Sequence, residues 1–378
     1  MNALDPRTVI LLSGIMGGLM SMVLFFMRRS YPASITGLGE WAWSLFVLFL
    51  AGVFASLRDH APIGLTSALP NLLITSGMYL AYVGSRRFFK LPVSHAGHIG
   101  LIAVVNLVLL WFTLAEPSYH ARILVLTPLM AYLLGIHAAL LLRQRQTRFS
   151  HRFVSVMLCI ATANEGLRLA TALTMSVGET LFDRQPQNLL HITAYPVLML
   201  LMAIGMVLLA TDRLRSELEY LATHDSLTNT LTRRHMSETC EQEVARCRRH
   251  GRSMALLALD LDHFKAINDA HGHQTGDSAL IRFVDTVNAL LRRGDELGRF
   301  GGEEFIVLLP ETTQTEAMLV AERIRATCEA DTSTPRYTVS IGVAAYLSAT
   351  DTVDKLLAQA DAAMYRAKAS GRNRVESA

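Results

Sequence analysis

The stretch LGRFGGEEFIVLLP, Leu297–Pro310, sets two adjacent glycines and two adjacent carboxylates between two short apolar runs. Each run has the length and composition of a β-strand, so the segment reads as a hairpin with its charges at the tip. Glu303 and Glu304 repel one another in a tight turn, and a chain that keeps them there must set positive charge opposite. Gly301 and Gly302 suit a turn that needs φ > 0 and a bare backbone against which a flat or charged ligand can lie.

Outward from the hairpin the pattern is globular from about residue 222. MALLALDLDHF (254–264) reads as a strand ending in acids, SALIRFVDTVNALLRR (278–293) as an amphipathic helix, and 313–330 as a further helix. YTVSIGVAAY (337–346) reads as a strand, followed by a helix over about 352–369. Strand, helix, hairpin, helix, strand is the order of an α+β ferredoxin-like sheet. In that topology the hairpin lies beside the first strand, and Glu303 and Glu304 approach Asp260 and Asp262. Carboxylates converging on one point are stable around cations, and hard oxygen ligands with phosphates nearby select Mg²⁺. Two carboxylate-held ions are a common device for activating a hydroxyl and stabilising a departing pyrophosphate, which suggests nucleotidyl transfer. GGEE taken alone also fits a plain polar hairpin.

Residues before about 210 follow a different rule. Of the 378 residues 51% are hydrophobic, and the excess is concentrated in seven apolar segments near 8–27, 38–57, 65–85, 99–116, 122–142, 153–175 and 189–210. Each is about long enough to cross a ~30 Å hydrocarbon core as a helix. Asp5 and Arg7 precede the first run and Arg28 and Arg29 follow it, the reverse of a cleaved secretory signal, so it reads as a retained span. Arg28, Arg29, Arg86, Arg87, Lys90, Arg143, Arg145, Arg148, Arg152, Arg213 and Arg215 fall on one side, against Arg7, Arg58, Arg122 and Arg184 on the other. That asymmetry puts the N-terminus outside and everything after residue 211 in the cytoplasm. The net charge of +3 follows this topology and forms no basic stripe, which argues against nucleic acid as a partner. Cys159, Cys240, Cys247 and Cys328 lack CxxC spacing and read as reduced thiols.

In the sixth span Glu165 and Arg168, beside Asn164, stand three apart on one helix face, where they can pair. Either they tie helices together or they belong to a signal-binding cavity. His98, His137 and His191 read as packing or interfacial residues. After the last span, Leu214, Leu218 and Leu221 make one apolar stripe on a charged helix, read as a connector over 211–224 that pairs with a second copy.

Several ordered motifs in residues 222–378 resemble the GGDEF domain of diguanylate cyclases. DSLTNTLTRR (225–234) looks like the opening motif and LDLDHFKAINDAHGHQTGD (259–277) like the metal and guanine segment. RFGGEEF looks like the signature and YRAKASGRN (365–373) like the closing motif. Asn229 and Thr232 depart from it, standing where the family more often has Gly and Asn. The resemblance implies Mg²⁺, two ions per site with Mn²⁺ as a substitute, held by Asp260, the Leu261 carbonyl and Glu303. Glu304 and Lys265 join Glu303 in catalysis; the family base is Glu303, although a carboxylate on a divalent cation is a weak base. Asn268 and Asp277 would bind the guanine of GTP, with His273, Gly301 and Gly302 lining the substrate. Lys265, Lys368 and Arg372 would neutralise the triphosphate.

Such enzymes join two GTP into cyclic di-GMP and release two pyrophosphates, one GTP per domain, so two domains must face each other in a homodimer. Arg292 and Asp295 of RRGD, with Arg323, look like the site where product binds and inhibits. The implied organisation is a sensory membrane domain (1–210), a signalling helix (211–224) and a cyclase domain (225–378), in the bacterial inner membrane with the N-terminus periplasmic. The chain is expected to end without a phosphodiesterase-like segment. The alternatives are a non-enzymatic cyclic di-GMP receptor that uses only RxxD, and a membrane receptor or transporter with a regulatory tail.

Overall fold

The computed structural model describes residues 6–144, 148–175, 178, 180, 185–348 and 350–378. Asp5, Arg145 and Arg184, used above for topology, lie outside the described residues. The chain divides into two compact units, Met1–Ser216 and Glu217–Ala378.

The first unit is helical: α1 (Pro6–Ser30), α2 (Leu38–Ser56), α3 (Leu69–Phe88), α4 (Ala96–Leu114), α5 (Tyr119–Arg143), α6 (Phe149–Thr174) and α7 (Pro186–Thr223), with one π turn, Gly64–Ala68, leading into α3. Among the described residues six of these are long and apolar enough to cross a membrane, α3 being the exception to the seven expected. The reason is composition: α3 carries Asn71, Thr75, Ser76, Ser85, Arg86 and Arg87. A helix enclosed by neighbours can carry such groups where they find partners. Ser85 Oγ lies 3.2 Å from Trp41 Nε1 and 2.7 Å from His137 Nε2, and Thr75 Oγ1 accepts from Asn106 Nδ2 at 3.0 Å. The outward faces keep large apolar side chains in the open, including Leu19, Phe26, Leu107 and Trp111, as a lipid-facing surface does. Leu214 of the predicted stripe packs against the core of this unit, while Leu218 and Leu221 are exposed.

The second unit is a six-stranded sheet covered on both faces. Its elements are β1 (Leu231–Thr232), α8 (Arg233–His250), β2 (Met254–Leu261), α9 (Phe264–His271), α10 (His273–Leu290), β3 (Glu296–Arg299), β4 (Glu304–Pro310), α11 (Gln314–Ala330), β5 (Val339–Ala345), α12 (Val353–Ala369) and β6 (Val375–Ser377). The strand order is β1-β3-β4-β2-β5-β6, with β4 and β5 antiparallel to β2 and with β1 and β6 added in parallel at the edges. The central four strands have the expected ferredoxin-like order.

β2 is buried along its whole length, which is why MALLALDL reads as an almost unbroken apolar run. Leu257, Leu259 and Leu261 face α10 and α11, while Met254, Leu256 and Ala258 face α8 and α12. The predicted strand 254–264 stops early because His263 takes φ +57° and turns the chain into α9. A capping box, Thr313 with Glu316, starts α11. The helix α8 had no counterpart in the sequence reading. Its mostly polar run, RRHMSETCEQEVARCRRH, buries Met236, Cys240, Val244 and Cys247 along one stripe.

Candidate active site

Register sets the site. In the antiparallel pair of β2 with β4, Asp260 lies opposite Glu304, and the Leu261 N–H donates to the Glu303 carbonyl at 3.3 Å. The acids that end β2 and the acids that open β4 therefore meet at one edge. Asp260 is buried, and its Oδ2 contacts Lys368 Nζ of α12 at 2.6 Å. Burial pushes the Asp260 carboxyl up to about 6; Lys368 opposes the shift, and the charges of Glu303 and Glu304 add to it.

Among the described residues no cluster of three His, Cys, Asp or Glu side chains closes on one point, so the expected convergence of carboxylates is not pre-formed. Three contacts account for this. The Lys368 ammonium occupies the cation position beside Asp260. Glu304 Oε2 is folded back to within 2.8 Å of where a Cβ on Gly301 would sit. Asp262 is committed elsewhere: it accepts from Thr338 Oγ1 and Ser340 Oγ, both at 2.7 Å, and from the Asn373 N–H at 3.0 Å. Asp262 thus ties β2 to β5 and the closing motif and does not face the Glu303–Glu304 turn. A buried carboxylate facing two more, with an ammonium as stand-in cation, fits a divalent metal held by hard oxygen ligands. Asp260, the Leu261 backbone and Glu303 are the residues that could hold it.

Neither Gly301 nor Gly302 adopts positive φ, contrary to the expectation for this turn. A Cβ on Gly301 would meet the carboxylate end of the exposed Glu304 side chain, which would have to swing aside, while Gly302 opens onto free space. The turn is held by Arg299, which the sequence reading passed over. Its Nε reaches the carbonyls of Gly301 and Gly302 at 3.1 Å and Nη2 reaches that of Gly302 at 2.7 Å. Nη1 reaches Asp225 Oδ1 of the opening motif at 2.9 Å. Burial would raise the Asp225 carboxyl, but hydrogen bonds from the Thr228 hydroxyl and N–H and from Arg299, with its charge, hold it below the ordinary range. The available signal was the presence of Arg299 and Asp225 inside motifs already singled out.

Asn229, one of the two departures in the opening motif, has φ +59°. Asparagine is among the few non-glycine residues that accept this conformation, so it can stand where glycine is usual. Its side-chain oxygen accepts from the Tyr220 hydroxyl.

The corner between α9 and α10 gathers the next group. Asn268 Oδ1 lies 1.9 Å from where a Cβ on Gly276 would be, so only glycine lets that amide rest there. Asp277 follows Gly276 directly and is exposed, as are Lys265 in the first turn of α9 and His273 at the start of α10. Arg372 is exposed just past the end of α12, its N–H bonded to the Ala367 carbonyl at 3.0 Å.

Arg292, Asp295 and Arg323 form a separate group, lining one cleft of about 210 Å³ with Thr312 and Glu316. Arg292 Nε meets Asp295 Oδ1 at 3.2 Å, and Nη2 reaches the Pro310 carbonyl at 2.6 Å and Thr312 Oγ1 at 2.9 Å. Arg323 Nη2 donates to the Leu290 carbonyl at 2.8 Å. Two guanidiniums facing one cleft make a place for an anion.

Comparison with known proteins adds the family. The model of the diguanylate cyclase GGDEF domain matches residues 222–374. Diguanylate cyclase DgcM of Escherichia coli (strain K12) is 41% identical over 165 residues, 43% of this chain and 40% of that protein. Response regulator PleD of Caulobacter vibrioides is 39% identical over 175 residues, 44% of this chain and 38% of that one. The chain thus spans about two fifths of the length of these curated relatives. A crystal structure of the coiled coil and GGDEF domain of DgcB from Caulobacter crescentus in complex with c-di-GMP is 30% identical, covering 46% of this chain and 97% of that one with a TM-score of 0.43. Residues 222–374, which hold the Asp260 edge, the Arg299-clamped turn and the Arg292 cleft, are a GGDEF domain of the diguanylate cyclase family.

Proposed function

We propose that this protein is a membrane-bound diguanylate cyclase that condenses two GTP into cyclic di-GMP and releases two pyrophosphates. The observation that carries the reading is the register that sets Asp260 opposite the Glu303–Glu304 turn, with a carboxyl raised to about 6 among like charges. Asp260, the Leu261 carbonyl and Glu303 would hold Mg²⁺, two ions per site, with Mn²⁺ as a substitute. The metal, when bound, supplies charge that stabilises the phosphates and lowers the pKa of the attacking hydroxyl.

The chain's own residues do the rest. Asn268 and Asp277 hydrogen-bond the guanine, and Gly301 and Gly302 leave room for the nucleotide beside His273. Lys265, Lys368 and Arg372 carry the triphosphate, and Lys368, which meets Asp260 at 2.6 Å, is within reach of that edge. Glu303, with Glu304 beside it, accepts the proton that leaves the 3′-hydroxyl as its oxygen attacks the α-phosphorus of the other GTP and pyrophosphate departs. Each domain holds one GTP, so the ring closes only between two copies, and a homodimer is the active species. Residues 1–210 act as the sensory membrane domain, 211–224 as the signalling helix and 225–378 as the cyclase. The protein sits in the bacterial inner membrane with its N-terminus periplasmic.

The full chain in nanodiscs should convert GTP to cyclic di-GMP with Mg²⁺, and Asp260→Asn and Glu303→Gln should each lower the rate at least a hundredfold. Binding of cyclic di-GMP with no synthesis by the wild type would favour the receptor reading. Product should inhibit through the Arg292–Asp295–Arg323 cleft. Arg292→Ala should therefore shift the inhibition midpoint at least tenfold upward with the initial rate kept, and an unshifted curve would remove that role.

A further inference from the structure

The helical unit contains a cavity of about 140 Å³ between α1, α2, α3, α5, α6 and α7. Its walls are mostly apolar, Leu48, Ile74, Met130 and Met199 among them, yet Glu165 and Arg168 of α6 and His191 and Tyr195 of α7 line it too. Glu165 lies about 5 Å past the middle of α6 at 1.5 Å per residue. A carboxylate and a guanidinium at that depth are costly and mark a functional site unless they neutralise each other.

They do not close on each other. Glu165 is 3% exposed, and among the described residues its ion-pair partner is His191, with Nε2 3.8 Å from Oε1, beyond hydrogen-bond reach. His191 Nδ1 faces Asn164 Nδ2 at 3.0 Å. The Asn164 amide donates, so Nδ1 accepts and Nε2 carries the proton toward Glu165. The Tyr195 hydroxyl is buried with no partner. An acceptor carboxylate, a donor guanidinium and a donor hydroxyl therefore face one largely apolar space, each able to bond something more.

We infer that this cavity binds a small zwitterion with an apolar side chain, the chemical class of an aliphatic or aromatic α-amino acid. The ammonium meets Glu165, the carboxylate meets the Arg168 fork and the Tyr195 hydroxyl, and the side chain fills the apolar part. An apolar cavity of about 150 Å³ accommodates a benzene ring, so the volume here is that of one aliphatic or aromatic side chain, with the charged end beside Glu165 and Arg168. A simple carboxylic acid would bring a second negative charge beside Glu165, and a simple amine would bring a second positive charge beside Arg168. A zwitterion answers both without adding net charge. Pro196, which also lines the cavity, lies inside α7 and removes one backbone hydrogen bond there, so α7 is deformable where the ligand would press. The inference rests on the sensor reading for its purpose, while its test needs no cyclase activity.

The test is saturable binding of tritiated L-leucine and L-phenylalanine to the full chain in nanodiscs, with isovalerate and isoamylamine as competitors. At least one of the two amino acids should bind, and each half-molecule should compete at least tenfold more weakly than the unlabelled amino acid. Glu165→Gln and Arg168→Gln should each weaken binding tenfold or more in protein that still elutes as a single species. Absence of saturable binding by the wild type, equal competition by isovalerate, or unchanged affinity in both variants would overturn the inference. Because competition is measured on the wild type, the proposal stays exposed even if the variants fold poorly. Binding by a chain that makes no cyclic di-GMP would sink the cyclase reading and leave this site standing; an active cyclase that binds neither amino acid would do the reverse.

Discussion

Arg299 joins the opening motif to the turn that carries Glu303 and Glu304, through Asp225 on one side and the Gly301 and Gly302 carbonyls on the other. Arg299→Gln removes the charge and most of the fork. Losing these charge-assisted bonds at a half-buried site should cost about 1–3 kcal/mol and lower the cyclase rate about tenfold, read from denaturation of the unit Glu217–Ala378 and from initial rates. The pair also sets a pH response. Folding lowers the Asp225 pKa, so its contribution is complete above the ordinary carboxylate value near 4 and drains away as pH falls below it. Wild type should lose more stability between pH 5 and pH 3 than Asp225→Asn, and parallel pH profiles would show that the pair contributes nothing. At Gly276 two effects oppose. Alanine favours the helix by up to about 1 kcal/mol, yet its Cβ would fall 1.9 Å from Asn268 Oδ1. Gly276→Ala should therefore leave stability within about 1 kcal/mol of wild type and raise the KM for GTP about tenfold; an unchanged KM would take Asn268 out of guanine binding.

At the scale of elements, the close approach of β5 to α12 fixes where Lys368 can reach. A Cβ on Gly342 would lie 2.0 Å from the Ala360 carbonyl oxygen and 2.2 Å from the Met364 nitrogen, both backbone atoms that no rotamer change can move. Gly342→Ala must push α12 off the sheet, and overpacking of that kind costs about 3 kcal/mol. The expected result is a large drop in the denaturation midpoint with a raised KM for GTP, because Lys368, which would meet the triphosphate, moves with the helix. Strand, helix, hairpin, helix, strand was legible because short unbroken apolar runs, from strands buried on both faces, and period-3.6 apolar stripes survive in the sequence. What was not legible was α8, whose buried stripe of Met236, Cys240, Val244 and Cys247 is thinly spread among charges. The positive φ at His263 that cuts β2 short carries no glycine or proline to announce it.

For the whole molecule, orientation turns on α3. Among the described residues six helices meet the length and apolarity of a span and α3 does not, so whether α3 crosses decides on which side every later connection lies. If α3 crosses, the segment holding Arg86, Arg87 and Lys90 is cytoplasmic, as its charge favours. A cysteine substituted at Ser94, in a chain whose native cysteines are replaced, should then resist an impermeant maleimide in intact cells and react after permeabilisation. Labelling without permeabilisation would show that α3 does not cross.

By itself the sequence determined the division into an apolar helical half and a globular α+β half, and the motifs that resemble a GGDEF domain, because hydrophobic period and motif order are properties of neighbours along the chain. Only the tertiary structure decided which acids face one another. Asp260 and Asp262 are two residues apart and chemically alike. Pairing with β4 turns Asp260 to the turn and to Lys368, while Thr338, Ser340 and Asn373 take Asp262 away. The same holds for Glu165, which the helix period set toward Arg168 and which the bundle brings to His191 across an apolar cavity. A hydrogen bond or charge contact between distant segments is settled by strand register and helix packing, and no local pattern encodes either one.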